Sequence, residues 1–425
     1  MSKSNLTYID LFAGAGGLSE GFISQGFNPI SHVEIDEAAC KTLTTRAAYH
    51  YLKNNSNINT YHQYLKGEID RAALYEQIPY EIKNSIINQG IGEQNNKSIF
   101  NQIDSKLHSL EIKNVDLIVG GPPCQAYSLV GRARSEDKMK GDSRNYLYVQ
   151  YAKFLEKYQP KMFVFENVIG LLSAGKGIYL KNMERLFNKK GYKIEVFRVN
   201  AENFDVLQKR KRLIIIGWKD DFVPTLPALD SYDSKTSSFV HHLFNDLPSL
   251  QAGEGNNKFT SYVSPINNYL KNSGIRNGID VVTQHVARPH RVQDKEIYKI
   301  AVDIWENKME RLNYNDLPER LKTHENRTSF TDRFKVVANN LGASHTVVAH
   351  ISKDGHYYIH PDHNQNRSLS VREAARLQSF PDNYYFEGVK EDANRTAAFK
   401  QIGNAVPPMM AKSIANKIKE ILCQI

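Results

Sequence analysis

The apolar positions of this chain fall into short branched runs, separated by glycine-rich turns and by segments with helical spacing. Leu6 to Phe12 is an apolar, β-prone run; Ala13-Gly14-Ala15-Gly16-Gly17 follows, and Leu18 to Phe27 then carries helical spacing with Leu18, Phe22 and Ile23 apolar. A strand, a glycine turn and a helix in that order open a nucleotide-binding α/β unit. A second strand, Pro29 to Val33, ends at Glu34-Ile35-Asp36. Val115 to Val119 reads as a buried strand ended by Gly120 and Gly121, and Met162 to Phe165 as another ended by Glu166. Tyr146 to Tyr158 has the pattern of a helix closed by Pro160, and Ile194 to Val199 with Leu213 to Gly217 predicts a strand hairpin. Helices alternating with short buried strands predict an α/β fold built on a Rossmann-like sheet.

Two stretches break this rhythm. Residues 41–113 are polar and rich in asparagine, with amphipathic helices predicted at Ile69 to Ile78 and Ile99 to Leu110. Within them Gln102-Ile103-Asp104 is one candidate end for a third strand, and Gly67-Glu68-Ile69 competes with it. Residues 220–366 are rich in Asn, Ser, His, Lys and aromatics, and only Asp294 to Trp305 has a clear repeat. Order returns at Ser370, which with Glu373 three residues on forms a capping box. A turn from Gln401 to Pro408 then leads into a last helix, Met409 to Leu422. The pattern divides the chain into a cofactor-binding and catalytic domain, 1–219, a smaller irregular domain, 220–366, and a return to the first domain, 367–425.

Composition narrows the class. With 425 residues and 41% hydrophobic content the chain can bury a sizeable core. No apolar run is long enough for a bilayer, and the start of the chain lacks the apolar stretch of a signal peptide, so a cytoplasmic protein is expected. Three cysteines without Cys-x-x-Cys spacing (Cys40, Cys124 and Cys423) argue against a disulfide framework or a structural zinc site. No metal is expected. The formal charge of +9 favours a polyanionic partner.

The candidate chemistry gathers at strand ends. Gly120-Gly121-Pro122-Pro123 presents Cys124 on a stiffened turn, because each proline fixes its own φ and restricts its predecessor. The turn alone does not distinguish a nucleophile from a loop cysteine without a role. Glu166, directly after four apolar strand residues, is placed to hold and exchange a proton at the sheet edge where α/β folds bind ligands. Glu34, about 20 residues after the glycines, is placed to accept ribose hydroxyls. Gln208-Lys209-Arg210-Lys211-Arg212 leads into a strand whose alternation would turn Arg210 and Arg212 to one side, although an exposed basic turn reads equally well. Leu129 to Arg144, with Arg132, Arg134 and Arg144, suits a loop that touches phosphates, as do Arg288 and Arg291 in the irregular region.

Taken together these motifs resemble the DNA (cytosine-5) methyltransferases. The residues that carry the resemblance are Asp10-Leu11-Phe12-Ala13-Gly14-Ala15-Gly16-Gly17, Gly121-Pro122-Pro123-Cys124-Gln125, Glu166-Asn167-Val168 and Gln208 to Arg212. Arg372 to Pro381 and Gly403-Asn404-Ala405-Val406-Pro407 complete the set, in the family's order along nearly the whole chain. The resemblance implies an S-adenosylmethionine-dependent methyltransferase sheet with a target-recognition domain at 220–366. It implies Cys124 as nucleophile, Glu166 and Arg212 on the cytosine, Arg210 supporting the same pocket, and Gln125 with Ser128 lining it. For the cofactor it implies Phe12 on adenine, Gly14 and Gly17 near the methionine part, Glu34 on ribose, and Asn404 with Val406 beside the methionine. Asp10, Ala13, Gly16, Ile35, Gly121, Pro123, Leu147 and Ala405 would complete that site, and Asp104 would meet the adenine amino group. Double-stranded DNA is the implied partner of a monomeric enzyme, and the compact length suggests the modification half of a bacterial system with a cognate restriction endonuclease. An RNA cytosine methyltransferase and an inert DNA-binding relative are the alternatives.

Overall fold

Seven strands form the central sheet in the order β3-β2-β1-β4-β5-β7-β6 in a computed structural model that describes residues 6–123, 146–222, 224, 229, 238–328, 330–391 and 394–424. In chain order these are β1 (Thr7–Leu11), β2 (Asn28–Glu34), β3 (Ile86–Asn88), β4 (Leu117–Gly120), β5 (Met162–Asn167), β6 (Tyr192–Asn200) and β7 (Lys211–Lys219). The first five run parallel, and β7 runs antiparallel to both its neighbours. From β1 the chain winds outward to β2 and β3, then returns to place β4 on the other flank of β1. The crevice at that split is where α/β sheets of this kind bind ligands.

Alternation along each strand feeds two cores. Tyr8, Val119, Val164 and Ile216 face helices α1 (Gly17–Ser24) and, near the C-terminus, Pro408–Leu422; Ile9, Ile118, Phe163 and Phe165 face the opposite layer. After α1 come α2 (Glu37–Asn54), α3 (Ile58–Lys66), α4 (Arg71–Glu76), α5 (Tyr80–Lys83) and α6 (Glu93–Ser109). Then follow α7 (Leu147–Tyr158), α8 (Ile178–Lys189), α9 (Asn268–Asn272), α10 (Val292–Lys308), α11 (Val371–Leu377), α12 (Arg395–Asn404) and α13 (Pro408–Leu422).

The third strand lies elsewhere than expected. Ile99 and Ile103, one helical turn apart, are fully buried on α6, so Gln102-Ile103-Asp104 belongs to a helix. Asp104 stands on the outer side of that helix and pairs with Lys157 at 2.7 Å, which removes it as an adenine contact. Glu68 follows the C-cap of α3 and does not end a strand either. The strand is the three-residue β3, and its end is Asn88-Gln89-Gly90.

Between β7 and α11 the described chain is irregular, apart from α9, α10, short 3-10 turns and an antiparallel pair, β8 (Gly255–Thr260) with β9 (Val282–Val286). Three fully buried arginines fasten this region to α11. Arg376 grips Asp246 on one side and Asp382 on the other, Arg372 bonds the Thr283 carbonyl at 2.9 Å, and Arg367 meets Glu373 at 2.7 Å. Glu373 also completes the capping box with Ser370. Among the described residues, no helix is long and apolar enough to cross a membrane.

Candidate active site

Glu166 and Arg212 face each other across the antiparallel β5–β7 pair. Arg212 Nε lies 2.7 Å from Glu166 Oε1, with the two side chains 12% and 14% exposed. The pair is therefore screened from bulk water yet open to a ligand. The turn after β4 is fitted around it: a Cβ on Gly121 would lie 2.6 Å from Glu166 Oε2 and 3.0 Å from its carbonyl oxygen. Only glycine lets the strand end come this close to the carboxylate. One residue on, Asn167 donates from Nδ2 to the Pro122 carbonyl at 3.2 Å, which binds the Pro-Pro turn to the end of β5. Pro123 is the last described residue of this turn; Cys124, Gln125, Ser128, Arg132, Arg134 and Arg144 lie outside the described residues.

Arg210 departs from its expected place. It is completely buried and donates to three carbonyls, Val347 at 2.6 Å, Gly403 at 3.1 Å and Ala405 at 2.8 Å. It ties the strand entry to the turn after α12. Arg288 is likewise buried: it is 8% exposed, with one N–H on the Ile351 carbonyl at 2.6 Å, and so is no surface residue. Arg291 is exposed.

A second cleft opens at the ends of β1 and β2. Phe12 takes a left-handed backbone (φ 56°), a conformation held at a cost of order 1–3 kcal/mol and found chiefly at functional sites. Gly14 is also left-handed, and a Cβ there would meet nothing within 4 Å, so its open side faces the cleft. Its N–H donates to Glu34 Oε2 at 2.7 Å, while Oε1 accepts from the N–H groups of Ile35 and Asp36 at 2.9 and 2.8 Å. Burial pushes the Glu34 carboxyl above the ordinary range, against the pull of those three donors. Ile35 beside it is 72% exposed, an apolar side chain with nothing covering it.

Other members of the loop serve the scaffold. Asp10 is 1% exposed and pairs with His32 at 3.2 Å, so it lies beneath the loop and away from the cleft. Ala13 donates its N–H to the Val33 carbonyl at 3.1 Å. A Cβ on Gly16 would press on Leu43 and the Tyr384 hydroxyl, and one on Gly17 would sit 2.3 Å from the Val406 carbonyl oxygen. Gly17 therefore packs directly against the turn that carries Val406. The same contact seats Ala405 and Val406 on the loop, with the Asn404 side chain left exposed beside them. Leu147 is half-buried at the first turn of α7.

Sequence reasoning missed Asn88, whose Nδ2 donates to the carbonyls of Glu34 at 3.1 Å and Ile35 at 3.0 Å and so fixes the cleft's rim. It also missed Gln208, fully buried, which donates to the Leu377 carbonyl at 2.9 Å and accepts from Val347 N–H at 2.9 Å. A polar residue directly after Ile86-Ile87 was the only signal for the first. The second offered none beyond its motif.

Comparison with known proteins shows the family. A family model for C-5 cytosine-specific DNA methylase matches residues 6–71 and 80–420. The chain is 40% identical to the type II methyltransferase M.Bpa9945I of Bacillus paralicheniformis, over 97% of this chain and 98% of that one. It is 31% identical to the type II methyltransferase M.DdeI of Desulfomicrobium norvegicum, over 97% and 88%. Among solved structures, a DNA modification methyltransferase encoded within an E. coli prophage superposes with a TM-score of 0.62 at 21% identity, covering 99% of this chain and all of that one.

Proposed function

The chain belongs to the C-5 cytosine-specific DNA methylase family and is a DNA cytosine-5 methyltransferase, and from that premise we propose how its own residues carry the reaction. The observation that supports the reading most is the Arg212–Glu166 pair, held against Gly121 three residues before Cys124. Cytosine C5 is too poor a nucleophile to take a methyl group unaided. Attack of the Cys124 thiolate on C6 forms an S–C6 bond and moves the C5–C6 electron pair toward C5. Glu166 binds at N3, where charge develops in the ring, while Arg212 orients Glu166 and holds O2. After the methyl group joins C5, the C5 proton leaves to a base and the S–C6 bond breaks. The double bond is restored and the thiolate is released. Because C6 is inaccessible within a stacked duplex, the target base is flipped out, at a cost of a few kcal/mol offset by contacts in the pocket.

The cleft beside this site fits S-adenosylmethionine. Its open Gly14 side, the Glu34 carboxylate, the uncovered Ile35 and the left-handed Phe12 supply a backbone approach, a hydroxyl acceptor and two apolar surfaces for an adenosine. When bound, that group supplies the methyl as an electrophile. Asn404, with the backbone of Ala405 and Val406, and Leu147 from α7 would hold its amino-acid end. The region 220–366 acts as the target-recognition domain. The relatives that carry type II methyltransferase names favour the modification half of a restriction–modification system acting on double-stranded DNA.

Incubation with methyl-labelled S-adenosylmethionine and either duplex DNA or transfer RNA tests the reading. Label is expected at C5 of cytosine in DNA. Label confined to transfer RNA, or none at all, would overturn it.

A further inference from the structure

A cavity of about 480 Å³ lies in the region between β9 and α11, at the N-terminal end of α10. Its lining includes the cations Arg288, Arg291 and Lys353 and the aromatic side chains of Tyr314, Phe330 and His324. Glu166, Arg212 and the residues of the cofactor cleft do not line it.

Arg288 is the unusual member. It is 8% exposed, it donates to the Ile351 carbonyl, and its Nε has no hydrogen-bond partner. Among the described residues no carboxylate lies within ion-pair distance of it, while the fully buried arginines Arg367, Arg372 and Arg376 each face at least one. A buried cation without a counter-charge is costly. Burial and repulsion from Arg395 accordingly push its pKa down. The N-terminus of α10 points to the same ligand chemistry. This helix of 17 residues begins after Arg291 with no side-chain cap, so its first N–H groups are available to an anion. Lys353 adds an exposed ammonium. Asp294 and Asp354 also face the cavity, but Asp354 is already held by Arg333. In the same lining, His324 stacks on Phe330 with ring centroids 3.8 Å apart and planes within 8°, and Tyr314 meets the edge of the same ring at 4.9 Å. His324 is exposed and Phe330 half-buried, so the pair offers the outer face of His324, backed by Phe330, as a platform for a planar base.

We propose that this cavity is a second nucleotide site, which takes the phosphate of one nucleotide between Arg288, Lys353 and the start of α10 and stacks its base on Phe330 and His324. The occupant is either a free nucleotide or a nucleotide of the DNA strand displaced near the target. The second source rests on the proposed DNA substrate; the first does not.

Two probes separate the sources. Calorimetric titration with dAMP reports free-nucleotide binding. Duplexes carrying 2-aminopurine at successive positions other than the target cytosine report a second unstacked base by their fluorescence. The inference expects one of these signals in the wild-type protein and its loss by at least fivefold in both Lys353→Glu and Phe330→Ala, with cytosine methylation still measurable. Lys353 is a surface residue, so an unchanged melting temperature for that variant excludes misfolding as the cause. Silence of both probes beside normal cytosine methylation would overturn the inference and leave the proposed reaction standing. Binding of inorganic phosphate as tightly as dAMP, or signals unchanged by both variants, would also overturn it.

Discussion

At the scale of residues, the account turns on how closely Arg212, Glu166 and Gly121 are fitted. Arg212 meets Glu166 through Nε at 2.7 Å, an atom that lysine cannot supply in that place. Arg212→Lys is therefore expected to lower kcat by about 100-fold while the KM for S-adenosylmethionine changes little, as steady-state kinetics would show. Gly121→Ala puts a methyl group 2.6 Å from the Glu166 carboxylate and 3.0 Å from the backbone of that residue, which must shift to accept it. Overpacking of this kind costs about 1–3 kcal/mol, and here it falls on the reacting group, so turnover should drop far more than the accompanying fall of a few degrees in melting temperature explains. Glu166 was legible in the sequence as a carboxylate directly after four apolar strand residues, whereas Arg212 was singled out only through the family resemblance. The burial of Arg210 was not legible: a basic run gives no sign of which arginine turns into the core, and three buried carbonyls decided that from distant parts of the chain.

At the scale of elements, the turn after α12 is where scaffold and cleft meet. Gly17 packs against the Val406 carbonyl at the start of α1, and Met410, Ile414 and Ile418 of α13 bury fully beside it, each contributing about 1.5–3 kcal/mol. Gly17→Ala is expected to separate α1 from this turn and to raise the KM for S-adenosylmethionine through Asn404, with a loss of about 1–3 kcal/mol in denaturant unfolding. Arg210→Met leaves the carbonyls of Val347, Gly403 and Ala405 without their donor and should destabilise the fold by about 3 kcal/mol or more, measured the same way. Elements with strong periodicity, such as β1, β4, β5, α11 and α13, were readable in advance. The short β3 was not, since two isoleucines in an asparagine-rich stretch carry no alternation, and Asp104 was drawn into its place. The polar β8 was missed for the same reason: Gly255-Asn256-Asn257-Lys258-Phe259-Thr260 shows no apolar face.

At the scale of the whole molecule, the region after β7 is joined to the rest of the chain by an apolar cluster, in which Val240, Leu243 and Val347 pack with Ala15, Val371 and Phe380, and by buried polar groups that hydropathy did not show. His285 is one of these groups: Nε2 lies 2.7 Å from the Pro248 carbonyl and Nδ1 2.9 Å from the Ser370 hydroxyl, an arrangement that suits the neutral ring. Burial lowers its pKa to about 4, and that of His360 to about 3. The unfolded chain, with histidine near 6.5, binds these protons first as pH falls. Stability is therefore complete above about pH 6.5 and is lost progressively toward pH 4, by on the order of 3 kcal/mol for His285 alone. Thermal melts from pH 7 to 4.5 should show the decline, and His285→Gln should flatten it. The central claim, that Cys124 attacks the cytosine ring, is tested most directly by trapping. Duplex DNA containing 5-fluorocytosine, incubated with the protein and S-adenosylmethionine and digested for mass spectrometry, should yield a covalent adduct on the Cys124 peptide that is lost in Cys124→Ala. Methyl transfer to unmodified DNA with no trapped adduct, or an adduct on any other residue, would contradict the account.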